Sequence, residues 1–121
     1  MVLWLLLAGC AQLGGLQELD ALPADFPLPI LGEVGVMTRA PGGQVAVDVV
    51  FDTEDEARVG WQHLRDEATA RGFTELEAGR VGKRDRVVLT GPGGRLELGC
   101  CPARADRQLL VLVSWWPAAR P

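Results

Sequence analysis

The sequence predicts an α+β fold: an antiparallel β-sheet with a single helix packed on one face, in the order β-β-α-β-β-β-β. Three observations predict it. Two runs of β character flank the turn signal Pro41-Gly42-Gly43. One segment, Thr53 to Gly72, carries a helix start signal, an apolar stripe at helical spacing and a stop signal. Four further short β runs follow, separated by turn residues. A chain of 121 residues, 48% hydrophobic and 23% charged, is long enough for one domain and apolar enough to bury a core.

The chain opens on MVLWLLLAGC, in which Val2 to Ala8 is uninterrupted apolar sequence followed at once by Gly9 and Cys10. An apolar stretch that ends in small residues is the pattern of a secretory signal. It is too short to span a bilayer, which takes about 20 apolar residues. At Leu7-Ala8-Gly9-Cys10 the sequence resembles the lipobox of bacterial lipoproteins, a Leu, two small residues and an invariant Cys. The resemblance implies a diacylglycerol thioether on Cys10, cleavage of the bond before it, and attachment to the membrane through lipid. Each buried methylene of such an anchor contributes about 0.8 kcal/mol, so two or more chains hold where one holds only marginally. Ala11, in place of an Asp after the cysteine, implies by the same resemblance the outer membrane, facing the periplasm. A secretory leader also begins with positive charge, and no Lys or Arg precedes Cys10. The true start codon is therefore expected upstream, or the chain is a truncated record.

On this reading residues 1–9 are a signal peptide, 10–30 a lipidated Cys and tether, and 31–117 the α+β domain. Gly14-Gly15 loosens the tether, while Pro23, Pro27 and Pro29 favour extended backbone. The first expected strands are Glu33 to Ala40 and Gln44 to Thr53. In the second, Val45, Val47, Val49 and Phe51 share one face at period two, and Ala46, Asp48, Val50 and Asp52 share a mostly wet one.

The helix follows. Thr53 is a good N-cap, Glu56 three residues on completes a capping box, and Glu54, Asp55 and Glu56 suit the positive end of the helix dipole. Ala57, Trp61, Leu64 and Ala68 make the apolar stripe. Gly72 stops the helix at C′, and Phe73 folds back on its last turn. The remaining strands are expected at Thr74 to Val81, Arg86 to Thr90, Arg95 to Cys101 and Arg107 to Trp116. Their turns are Gly82 to Asp85, Gly91-Pro92-Gly93-Gly94 and Ala105-Asp106. The last strand is apolar on both faces, which predicts a central position or a covered outer face. A Pro-rich lead-in, a hairpin, a helix with Trp61 and Leu64 that leaves through Gly72-Phe73, and a closing meander resemble the compact domains of small bacterial envelope lipoproteins. Those motifs report packing and imply no activity.

Signs of catalysis are sparse. The net charge of −4 and pI near 4.9 argue against nucleic acid, which needs a clustered basic face. The acidic run Asp52, Glu54, Asp55, Glu56 lacks the alternate spacing and central Gly of a calcium loop. His63 is the only histidine and flanks the helix stripe without a second histidine for a metal pair. Ser114 is the only serine and sits within the last strand, outside any nucleophile elbow. The Gly-rich turn at 91–94 joins two β runs, whereas a phosphate-cradling loop opens a helix.

Cys100-Cys101 admits three readings: a vicinal disulfide near a strand end, a soft-metal or redox site, or two small apolar residues of which one is buried. Of Trp115 and Trp116, alternation sends one into the core and the other outward, with packing against the Pro-rich segment expected.

The expectation is thus a lipid-anchored envelope protein of non-enzymatic, binding or structural role, without cofactor or metal. Its partners would be the membrane, through lipid on Cys10, and a protein or cell-wall component. The alternative is a periplasmic redox or soft-metal-handling protein using Cys100 and Cys101.

Overall fold

A computed structural model describes residues 15–103 and 108–118. The lipobox residues Leu7, Ala8, Gly9 and Cys10 and the expected turn at Ala105-Asp106 lie outside the described residues.

One helix packs on an antiparallel sheet of seven strands. The strands are β1 (Gln17–Glu18), β2 (Glu33–Arg39), β3 (Val45–Phe51), β4 (Thr74–Val81), β5 (Arg84–Gly91), β6 (Gly94–Ala103) and β7 (Leu109–Pro117). The helix, α1, is Glu54–Ala70. With 51% strand and 17% helix the fold is richer in sheet than the expected class implies. The spatial order is β1-β2-β3-β7-β6-β5-β4. A β2–β3 hairpin comes first, α1 carries the chain to the far edge, and β4 to β7 return as a meander. The meander closes by pairing β7 with β3 over its whole length, from Val45 opposite Trp115 to Phe51 opposite Leu109. The strand that is apolar on both faces is therefore central.

Local chemistry explains the helix ends. Thr53 is extended (φ −128°, ψ 156°) and its hydroxyl accepts from the Glu56 backbone N–H at 3.2 Å, the first half of the capping box. At the other end the Gly72 N–H donates to the Thr69 carbonyl and the Phe73 N–H to the Ala68 carbonyl. With Gly72 at φ +94°, these bonds form a Schellman motif, and Phe73 is buried against the core as the stop signal predicts.

The core lies between α1 and one sheet face. Ala57, Leu64 and Ala68 of the helix meet Val45, Val47 and Val49 of β3, Val87 and Leu89 of β5, Leu96, Leu98 and Cys100 of β6, and Val111, Val113 and Trp115 of β7. Trp61 is only partly buried, its ring covered by the Arg65 guanidinium at 4.7 Å. Trp115 is buried and Trp116 half-exposed, as alternation requires. The buried indole meets Phe73 edge-on at 6.0 Å and lies beside the β5–β6 hairpin, while the outward Trp116 ring, expected on the Pro-rich segment, has the Arg95 guanidinium over it at 4.4 Å.

Two expectations need revision. The fold begins earlier than residue 31. Gln17 and Glu18 pair with Arg39 and Thr38, Leu28 is 3% exposed, and Leu19, Leu22, Phe26 and Ile30 pack on the core. Much of the segment assigned to the tether is therefore the flank of the domain. The second β3 face is also drier than expected. Val50 is 5% exposed, held between Glu33 of β2 and Leu110 of β7, and Ala46 and Asp48 are half-buried.

Candidate functional site

The sheet face turned away from α1 has no helix over it among the described residues, and it carries the groove of greatest chemical interest. Strand alternation sends Arg84 and Arg86 of β5, Glu97, Gly99 and Cys101 of β6, and Leu112 and Ser114 of β7 to this face. With Val81, Lys83, Pro102 and Ala103 they line a hollow of about 860 Å³. Gly99 shapes its floor: a Cβ there would meet Arg84 Cδ at 3.2 Å, so the missing side chain lets the arginine lie across the strand. Arg86 pairs with Glu97, diagonally across on β6, and with Glu77 of β4 at 3.5 Å. The hydrogen bond from Arg86 to Glu97 raises the guanidinium pKa further, so this charge is fixed at every working pH.

At one end of this groove the structure joins Cys100 and Cys101 in a disulfide between neighbouring residues. Cys100 is fully buried among the core residues, while Cys101 is partly exposed on the groove side. The vicinal-disulfide reading drew on the flanking of the pair by Gly99 and Pro102, which interrupts the regular ladder. The β6–β7 register indeed shifts between Cys100 and Ala103.

The other sequence candidates stay apart. Ser114 lies on the groove face, whereas His63 is exposed on α1, on the opposite side of the sheet, so no Ser–His pair forms. His63 instead lines a second hollow of about 580 Å³ with Leu31, Phe51, Asp55, Glu56 and Val59. Asp52 accepts from Gln108 Nε2 at 3.1 Å, tying the start of the helix to β7. The Gly-rich segment at 91–94 forms the β5–β6 hairpin and opens no helix. Among the described residues no group of three or more His, Cys, Asp or Glu side chains is placed to hold a metal ion.

One cluster has no signature in the sequence. Asp85, at the start of β5, accepts from Arg58 of α1 at 2.7 Å and from Arg80 of β4 at 3.0 Å. The Arg58 hydrogen bond, followed by that from Arg80, holds the Asp85 carboxyl below the usual aspartate range. Within a turn signal Asp85 looked like a loop residue, and only the pairing of β4 with β5 brings these partners together. The cluster ties helix to sheet.

No helix among the described residues is long and apolar enough to cross a membrane. Compared with family models, curated proteins and solved structures, the chain finds no match in any of the three.

Proposed function

We propose that the protein is a lipid-anchored component of the bacterial envelope with a non-enzymatic, binding or structural role, held at the outer membrane and facing the periplasm. The observation that carries this reading is the tetrad Leu7-Ala8-Gly9-Cys10, with a cysteine at the one position where lipid attachment needs it. Its supporting context is that, among the described residues, a buried core is built from Leu28 to Trp115, downstream of that cysteine. The open sheet face, with Leu112, Ser114 and Pro102 between charged Lys83, Arg84 and Glu97, is the surface on which a protein or cell-wall partner would sit.

The test is replacement of Cys10 by Ala in cells fed a labelled fatty acid. The wild-type chain is expected to carry label and to pellet with membranes, and the variant to lose the label and leave the pellet. A wild-type chain without label would end the reading.

A second reading, a periplasmic redox protein, draws on the Cys100–Cys101 disulfide beside the groove. Alkylation of the folded protein before and after a dithiol reductant separates the two. A redox role requires that the reductant, itself oxidised to its disulfide, opens the pair to two alkylatable thiols without unfolding the chain. Resistance of the pair until the chain unfolds leaves it a structural crosslink, as the burial of Cys100 favours.

A further inference from the structure

We infer that the domain is oriented on its anchor, with the end that carries the Pro41-Gly42-Gly43 and Pro92-Gly93 hairpin tips against the lipid headgroups and the disulfide end pointing away. The inference rests on the proposed lipidation of Cys10.

The topology gives the sheet two unlike ends. β2 runs from Glu33 towards Arg39, β3 returns, and the register fixes every other strand relative to them. One end gathers the 41–43 and 92–93 hairpin tips, the helix C-terminus at Arg71-Gly72, and Pro117 at the close of β7. The other gathers the helix N-terminus, the Gly82-Lys83 turn, and the β6 end that bears Cys100, Cys101 and Ala103. A strand of the length of β6 separates the two by about 30 Å, at about 3.3 Å per residue.

The described chain begins at the first end. Gln17 pairs with Arg39 at the close of β2, and a Cβ on Gly15 would meet the Pro41 ring at 3.3 Å. From Cys10 to Gly15 is five residues, which reach at most about 17 Å even when fully extended. That is little more than half the length of the sheet. The anchor therefore holds the first end close to the bilayer and leaves the second end close only if the domain lies flat.

Charge is mixed at both ends: the second carries the exposed acids Glu33, Asp52, Glu54, Asp55 and Glu56 with the exposed Arg80, Lys83 and Arg84, and the first carries Arg39, Arg71 and Arg95 with Glu18, Glu67 and Glu75. The hairpin tips at the first end hold no charged residue to keep them from the headgroups. The Arg95 guanidinium lies over the half-exposed Trp116 ring at 4.4 Å, which pairs a cation with an aromatic of the kind that settles at headgroup level. Exposed apolar side chains are shared between the ends, with Leu16 and Leu76 towards the first and Leu31, Val59 and Val81 towards the second.

The test uses the lipidated full chain in vesicles of phosphatidylethanolamine and phosphatidylglycerol that include a headgroup-spin-labelled lipid. A fluorophore is attached to Gly42→Cys, where nothing lies within 4 Å of an added Cβ, or to exposed Lys83→Cys at the far end. Pro92→Cys serves as a second reporter of the near end should Gly42→Cys fail to fold. Quenching at 42 or 92 is expected to exceed that at 83 several-fold. Equal quenching at both ends, or stronger quenching at 83, on protein shown by mass to carry lipid on Cys10 overturns the orientation alone. Absence of lipid on Cys10 overturns the anchor and the orientation with it.

Discussion

Gly60 shows how a single residue can be silent in the sequence and decisive in the fold. It stands in the middle of α1, where glycine weakens a helix, and no local signal asks for it. The structure supplies the reason: the Phe51 ring lies against the helix there, and an added Cβ would come within 2.9 Å of its Cε1. Gly60→Ala gains helix propensity but must displace an aromatic ring, a form of overpacking that costs about 1–3 kcal/mol. The net outcome expected is a loss of stability, read as a lower urea midpoint with an unchanged slope; a raised midpoint would show that Phe51 yields freely. Cys100 and Cys101 teach the same lesson from the other side. Their residue types were conspicuous, yet strand alternation alone places adjacent side chains on opposite faces. Only the fold shows the two sulfurs joined, with one in the core and one at the groove.

At the scale of elements, legibility followed the range of the interactions. Helix α1 was readable from end to end because cap, stripe and stop are local: Thr53, the Ala57-Leu64-Ala68 face and Gly72-Phe73 all serve as expected. The β5–β6 hairpin was readable for the same reason. Strand β1 was not, because Gln17 and Glu18 become a strand only by pairing with Thr38 and Arg39, about twenty residues away. The Asp85 cluster was hidden in the same way, since it joins α1, β4 and β5. Its carboxyl is held below the usual aspartate range by Arg58 and then Arg80, so it stays charged in the folded state where it would protonate in the unfolded chain. A depressed pKa of this kind adds stability above the unfolded value, and that stability disappears as pH falls through the folded one. Asp85→Asn is expected to melt below the wild type at neutral pH, with the gap closing below the ordinary aspartate value of about 3.9. A gap that persists in acid would assign the loss to packing and not to charge.

For the whole molecule, the sequence supplied the element order and the central place of β7, whose two apolar faces need neighbours on both sides. It did not supply the insertion of β7 between β3 and β6, which depends on a crossover that sends β4 to the far edge. Nor did it show that β1 belongs to the domain, close to the proposed lipid site. That closeness matters to function, because a five-residue arm tethers one chosen end of a sheet where a thirty-residue arm would tether none. The groove beside Cys101 was also invisible, being made where Gly99 of β6 comes opposite the arginines of β5, a pairing that alternation alone does not give. Delivery and anchoring remain the centre of the account, and they turn on one atom, Cys10 Sγ. Tandem mass spectrometry of the mature protein from its native envelope tests this most directly. The account predicts a first peptide that begins at Cys10 and carries a diacylglycerol thioether; a peptide that runs unbroken through Gly9-Cys10 with an unmodified thiol would contradict it.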